Sequence, residues 1–332
     1  MTAKPSAASA IHGKHLVRTP TIGLALGGGG ARGLAHIAML EAFDELGVRP
    51  TIIAGTSIGA VYGAAYASGI SGKELRDHTR FILAQRFSLL RDLFIARAQP
   101  FQRLLGIVGR RNALLDPESM LDVIMPKNVK GNFADCEIPL RVVASDFYDQ
   151  EPVVFTEGPL RKAVAASMAL PVIFQPVVID GHAFIDGGLT NPLPFDLLMN
   201  DADIVVAIDV TGAPVANPDR SAPMASEALF SSAFLFERSI VREKLKWVQP
   251  DILINAGTSR YQVLDFLKFD EILTASSSAK DKLKKQLERV LSVETLPELS
   301  AVNAEPSPAC EPPKGKRRGL LSRARRKVRK QD

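Results

Sequence analysis

The sequence predicts an α/β fold: a mainly parallel central sheet flanked by helices, with a helical cap inserted into it. Three observations point there. Two short apolar runs, Thr21 to Leu26 and Thr51 to Ala54, each lead through a glycine-containing turn into a helical pattern. That strand–turn–helix alternation is what builds parallel sheets. Further apolar runs of strand length recur at Leu140 to Ser145, Pro152 to Phe155, Ile204 to Val210 and Ile252 to Asn255. Between the two groups, Gly72 to about Met125 is rich in helix formers, with Leu and Phe at amphipathic spacing.

Each element has its own local reason. After Gly27-Gly28-Gly29-Gly30, the residues Leu34, Ile37, Ala38, Leu40 and Phe43 recur at roughly 3.6 positions, which predicts the first helix. Gly55-Thr56-Ser57-Ile58-Gly59 opens an Ala-rich helix of small residues. Leu160 to Leu170 reads as a helix stopped by Pro171. Val177 to Asp180 and Ala183 to Ile185 flank Gly181-His182 and predict a hairpin. Asn191-Pro192-Leu193-Pro194 starts another helix, and two longer ones are expected over Ser226 to Trp247 and Asp270 to Leu291. Residues 292–313, rich in Pro, Ser, Glu and Ala, form a linker. No internal repeat is present. The expected organisation is a leader (1–20), one domain (21–291) with the cap over about 72–125, and a linker with a basic tail (292–332).

Composition bounds the function. With 332 residues, 46% hydrophobic and 23% charged, the chain has the balance of an ordinary soluble globular protein and can bury a large core. No run of 18 apolar residues predicts a transmembrane helix. The first 20 residues hold Lys4 and Lys14 but no continuous apolar stretch, so they read as a solvated leader rather than a secretory signal. Cys136 and Cys310 lie far apart, with neither metal spacing nor a disulfide framework. A reducing, cytoplasmic compartment is the expectation. The net charge of +5 is unevenly spread: ten of the 41 Lys and Arg residues lie in 312–332 beside one of the 36 acids. The remaining chain, with 31 basic and 35 acidic residues, is mildly acidic.

The chemistry lies in the glycines. Gly55-Thr56-Ser57-Ile58-Gly59 fits G-x-S-x-G, a sharp strand-to-helix turn that exposes a nucleophilic serine. The plainer reading is a structural Ser at a tight turn, and the preceding strand and following helix weigh against it. Gly28-Gly29-Gly30-Ala31-Arg32-Gly33 matches the dinucleotide fingerprint G-x-G-x-x-G, which requires an acidic residue about 20 positions on. No carboxylate occurs between Glu45 and Glu74, so that reading fails. A phosphate-binding P-loop fails as well, because Leu34 and Ala35 follow Gly33 where Lys and Ser or Thr are needed. Consecutive backbone N–H groups without side chains suit an oxyanion hole instead. Arg32 adds positive charge there, either in catalysis or in tying the loop to a carbonyl or carboxylate.

A serine nucleophile needs a base. Of the histidines His12, His15, His36, His78 and His182, only His182 completes the order Ser, Asp or Glu, His, and it falls in the expected hairpin turn. His36, one turn inside the first helix, reads as a packed core histidine. Asp186, at the end of the run Phe184-Ile185 and before Gly187-Gly188, is the better candidate. A carboxylate held against a serine in a dry pocket acts as a base when burial raises its pKa. Its plainer reading is a turn or N-cap Asp.

Four blocks in order resemble the patatin-like phospholipases, particularly their compact bacterial branch. They are Gly28-Gly29-Gly30-Ala31-Arg32-Gly33, Gly55-Thr56-Ser57-Ile58-Gly59, Ala166-Ser167-Met168-Ala169-Leu170-Pro171 and Asp186-Gly187-Gly188, and the resemblance spans roughly 21–291. It implies a three-layer fold and a Ser57–Asp186 dyad without a catalytic histidine. It also implies oxyanion stabilisation by Gly28, Gly29 and Gly30 with Arg32 alongside, and no metal or cofactor. The implied substrates are phospholipids or other acyl esters. The third block is expected to be a structural helix without chemistry. A second implied reading is a regulator or scaffold that keeps the fold with little turnover.

In the tail, Leu320, Leu321, Ala324 and Val328 fall at helical spacing among basic residues. Such a helix could lie on an anionic bilayer. Nucleic acid is the competing partner, but the tail has no aromatic residues for stacking and the body no other basic patch. A merely solvating tail is the third reading. Peripheral contact with the inner face of the membrane is the expectation.

Overall fold

The computed structural model describes residues 19–85, 115–212, 222 and 225–293. Most of the leader, the middle of the expected cap, the expected linker from residue 294 on, and the basic tail with its expected helix lie outside the described residues, as does Cys310. β1 (Ile22–Leu26) leads through the glycine loop and a 3₁₀ turn (Gly30–Leu34) into α1 (Ala35–Glu45), and β2 (Ile52–Thr56) leads into α2 (Ile58–Ala67). The remaining strands are β3 (Leu140–Asp146), β4 (Pro152–Phe155), β5 (Val177–Ile179), β6 (His182–Asp186), β7 (Ile204–Asp209) and β8 (Ile252–Asn255). They form one sheet in the order β5-β6-β3-β2-β1-β7-β8, with β4 pairing to β3 off that path. Strands β3, β2, β1, β7 and β8 run parallel, β4 and β6 pair antiparallel to β3, and β5 pairs antiparallel to β6. The fold is therefore a mainly parallel sheet with flanking helices, as the sequence predicts.

Both faces of the sheet are buried, which is why its central strands read as unbroken apolar runs rather than alternating ones. Leu24 and Leu26 of β1 join Val206 and Ile208 of β7 in the large cluster with Leu40 and Phe43 of α1. Their neighbours Ala25 and Ala207 turn to the opposite side, with Leu193, Phe195, Leu198 and Val241. Phe195 is completely buried there, and truncating such a side chain to Ala costs about 3–5 kcal/mol.

The inserted segment contributes α3 (Gly72–Gln85) and α4 (Pro117–Ile124). Arg76 of α3 pairs with Glu41 of α1, and Lys280 donates to the same carboxylate at 3.0 Å. Asp116 caps α4 by accepting from the N–H groups of Glu118 and Ser119, and Pro117 fills the first helical position. Later come α5 (Leu160–Ser167), α6 (Ala225–Trp247), α7 (Phe269–Ala275) and α8 (Ser277–Val293). Three expectations change. The single helix over 270–291 is two, divided at Ser276, whose buried hydroxyl donates to Leu273 O at 2.9 Å. The helix after Asn191 is only a 3₁₀ turn (Pro194–Leu198). The hairpin turns at Asp180 and Gly181, both at positive φ (50° and 87°), so His182 opens β6. Among the described residues, no helix is long and apolar enough to cross a membrane.

Candidate active site

β2 ends at Thr56 and α2 begins at Ile58, so the whole reversal rests on Ser57, at φ 54° and ψ −123°. A non-glycine residue in such a conformation costs about 1–3 kcal/mol and persists only where its surroundings fix it. Three hydrogen bonds do so. The Ser57 N–H donates to Ser167 Oγ at 2.8 Å, and the Ser57 carbonyl accepts from Ala60 N at 2.9 Å and Val61 N at 3.2 Å. The flanking glycines are required by contact. A Cβ at Gly59 would lie 2.1 Å from Leu26 O, and one at Gly55 2.6 Å from Gly59 O. The positive end of α2 thus starts directly behind the Ser57 hydroxyl.

Sheet register brings in the carboxylate. Thr56 pairs with Val143 of β3, and Asp186 of β6 pairs with the next residue, Ala144, so Ser57 and Asp186 end up level near β3. The Ser57 hydroxyl donates to Asp186 Oδ2 at 2.6 Å, and the Gly188 N–H donates to Oδ1 at 2.8 Å. Asp186 is 3% exposed. Burial pushes its pKa up to about 6, against the opposing pull of the Ser57 and Gly188 hydrogen bonds. It is therefore ionised at neutral pH yet far more basic than a solvated Asp.

The glycine loop crosses beside this pair. Gly28 was expected among the oxyanion donors, but its N–H is spent on Pro192 O at 2.8 Å, which corrects that expectation. Its Cα instead backs Ser57, where an added Cβ would be 3.4 Å from the Ser57 Cβ. The N–H groups of Gly29 and Gly30 have no partner among the described residues, and both residues line the cavity in front of Ser57. Arg32 ties the loop: its Nε donates to Gly29 O at 3.2 Å and its guanidinium lies 5.0 Å from the Phe234 ring centre. Burial pulls its pKa down, opposed by Glu237, Asp209 and Asp265. An arginine nonetheless stays charged.

The described histidines do not reach the serine. His36 is completely buried, 2.8 Å through Nε2 from the Gly27 carbonyl, and burial lowers its pKa to about 4. It is a neutral strut under the glycine loop. His182 Nδ1 lies 2.8 Å from Asp146 Oδ2, and His78 Nε2 3.1 Å from Ile124 O. His12 and His15 lie outside the described residues.

A cavity of about 130 Å³ opens onto Ser57 and Asp186. Its wall is mostly carbon, including Leu34, Val61, Met120, Phe174, Phe234 and Leu264, so it suits a hydrocarbon chain. Sequence reasoning missed two residues of this site. Ser167, at the end of α5, belongs to a block read as purely structural, yet its hydroxyl holds the nucleophile's backbone. Glu237, in the middle of α6, reaches the cavity with no sequence signal at all.

Comparison with known proteins places the chain in a family. Residues 24–199 match the family model described as patatin-like phospholipase. Uncharacterized NTE family proteins of Mycobacterium tuberculosis and Mycobacterium bovis are 34% identical over 233 residues, which cover 68% of this chain and 61% of theirs. The patatin-like phospholipase domain-containing protein 6 of Homo sapiens is 34% identical over 57% of this chain and 13% of its own length. The chain thus spans about three fifths of the mycobacterial relatives (61%) and a much smaller part of the human one. Among solved structures, VipD of Legionella pneumophila gives a TM-score of 0.42 at 15% identity, covering 81% of this chain and 67% of that one. With the family model matched over more than half its length, the chain belongs to the patatin-like phospholipase family.

Proposed function

We propose that the protein is a serine lipid acyl hydrolase that cleaves carboxylic ester bonds of phospholipids or related acyl esters. The observation that carries the reading is the 2.6 Å hydrogen bond from Ser57 to the buried Asp186 carboxylate oxygen in the wall of an apolar cavity. Ser57 Oγ attacks the acyl carbon while its proton passes to Asp186 Oδ2. Charge developing on the carbonyl oxygen is met by the N–H groups of Gly29 and Gly30, which have no partner among the described residues, each such donor being worth roughly 3–4 kcal/mol in the transition state. Gly28 and Arg32 hold that loop in place. The bond from the acyl carbon to the alcohol oxygen then breaks and that oxygen takes up a proton within the site, which releases the alcohol and leaves Asp186 unprotonated again. Water attacks the acyl-enzyme as its proton passes to Asp186, and that proton returns to Ser57 Oγ as the acid leaves. These steps balance without a metal or cofactor.

The test is covalent labelling by a fluorophosphonate. Wild type should label, Ser57→Ala should not, and Asp186→Asn should label far more slowly; labelling that persists in Ser57→Ala sinks the assignment. A regulator or scaffold with little turnover is the other reading, and a wild type that neither labels nor hydrolyses any acyl ester would favour it. The basic tail is read as a peripheral membrane contact rather than a nucleic-acid site. Deleting 314–332 should weaken binding to anionic liposomes, and unchanged binding would refute this.

A further inference from the structure

Glu237 is the second carboxyl of the cavity. It is 3% exposed on α6, and its Oε2 has no hydrogen-bond partner among the described residues. An orphaned buried carboxyl oxygen is costly unless the group keeps its proton or finds a ligand. Gly188 explains how it comes so near the dyad. A Cβ there would lie 2.8 Å from Glu237 Oε1 and 3.1 Å from Asp186 Oδ1, so both carboxyls occupy the space a side chain would take. The two oxygens are therefore within about 6 Å of each other, a range in which like charges exclude one another. We propose that Glu237 is a second catalytic acid of this site, giving its proton to the departing alcohol oxygen when the ester bond breaks. This rests on the reading of Ser57 and Asp186 as the nucleophile and its base.

The environments divide the roles. Burial raises both carboxyls, Asp186 to about 6 and Glu237 to about 8, with the Asp186 charge adding to the rise at Glu237 and Arg32 opposing it. At neutral pH one is ionised and the other protonated, the separation that distinguishes a base from an acid. Among the described residues, Asp186 and Arg32 are the charged groups acting on Glu237, and Tyr62 and His78 are the other titratable groups of the same cavity. In acylation, Ser57 Oγ bonds to the acyl carbon and its proton goes to Asp186. The bond from that carbon to the alcohol oxygen then breaks, the electron pair stays on the oxygen, and Glu237 supplies the proton. The Glu237 carboxylate recovers a proton from Asp186 directly or through water. Asp186 is then again a base for deacylation, and the net reaction is ester plus water to acid plus alcohol.

A general acid matters for a poor leaving group and not for a good one, and kcat/KM reports the acylation step. Ethyl and p-nitrophenyl esters of one fatty acid therefore separate this role from a structural one. In Glu237→Gln, kcat/KM on the ethyl ester should fall roughly 10²-fold, while that on the p-nitrophenyl ester and the fluorophosphonate labelling of Ser57 should fall far less. In wild type, the ethyl ester should lose activity as pH rises through about 8, with no such limb for the p-nitrophenyl ester. This second measurement holds even if the variant does not fold. Equal loss on both esters, loss on neither, or the same alkaline limb for both overturns the role of Glu237. Labelling that persists in Ser57→Ala overturns the dyad instead, so the two failures are distinct.

Discussion

Replacing Ser167 with Ala tests how the nucleophile is held. The Ser167 hydroxyl is completely buried and accepts the Ser57 N–H at 2.8 Å. Alanine leaves that N–H without its acceptor, and an unsatisfied buried donor costs about 1–3 kcal/mol. Ser57 already stores about 1–3 kcal/mol of backbone strain at φ 54°, so the turn has a reason to relax once its anchor is gone. Relaxation moves Oγ away from Asp186, and a misplacement of about 1 Å can cost 10²-fold in rate. We expect Ser167→Ala to lose about 1–3 kcal/mol in urea unfolding. Its second-order rate of fluorophosphonate inactivation should fall by roughly 10- to 100-fold. Unchanged values for both would show that the Ser57 turn holds without Ser167 and would refute the reasoning.

Two further outcomes follow from the buried titratable groups. Asp186 has a folded-state pKa raised from 3.8 to about 6, so its contribution to stability is lost as pH rises through that interval. Asp186→Asn should therefore gain up to about 3 kcal/mol in unfolding at pH 7 while losing about 10²- to 10⁴-fold in turnover, and a destabilised variant would argue against the burial cost. For the same residue, wild-type activity should decline with a single proton as pH falls below about 6, read from the kcat/KM profile on the p-nitrophenyl ester. His36 has a folded pKa lowered from 6.5 to about 4, so the unfolded chain binds its proton first and stability falls with pH across that window. Acid unfolding should show a loss of about 3 kcal/mol between pH 7 and 4 that is absent in His36→Gln; identical pH slopes in the two proteins would exclude His36 as the cause.

The sequence by itself determined the features that depend on neighbours along the chain. An apolar strand, a G-x-S-x-G turn and a helix of small residues fix Ser57 at a reversal, because only glycine fits where Gly59 meets Leu26 O. The apolar runs on either side of Gly181 predict the hairpin and put Asp186 at its end, although the structure moves the turn itself from Gly181-His182 to Asp180-Gly181. The missing carboxylate between Glu45 and Glu74 removes the nucleotide reading on local grounds alone. What only the tertiary structure decided are relations between distant segments. The register across β3 brings Asp186, 129 positions away, to Ser57, and the end of α5 supplies Ser167 from 110 positions away. The Pro192 carbonyl removes Gly28 from the oxyanion donors, which no local pattern could foretell. Glu237 lies on a helix whose spacing resembles that of any amphipathic segment, and its chemistry arises only because Gly188 leaves room beside Asp186. Backbone propensity and steric fit act over a few residues, whereas desolvation and hydrogen-bond competition depend on what the completed fold packs around each group.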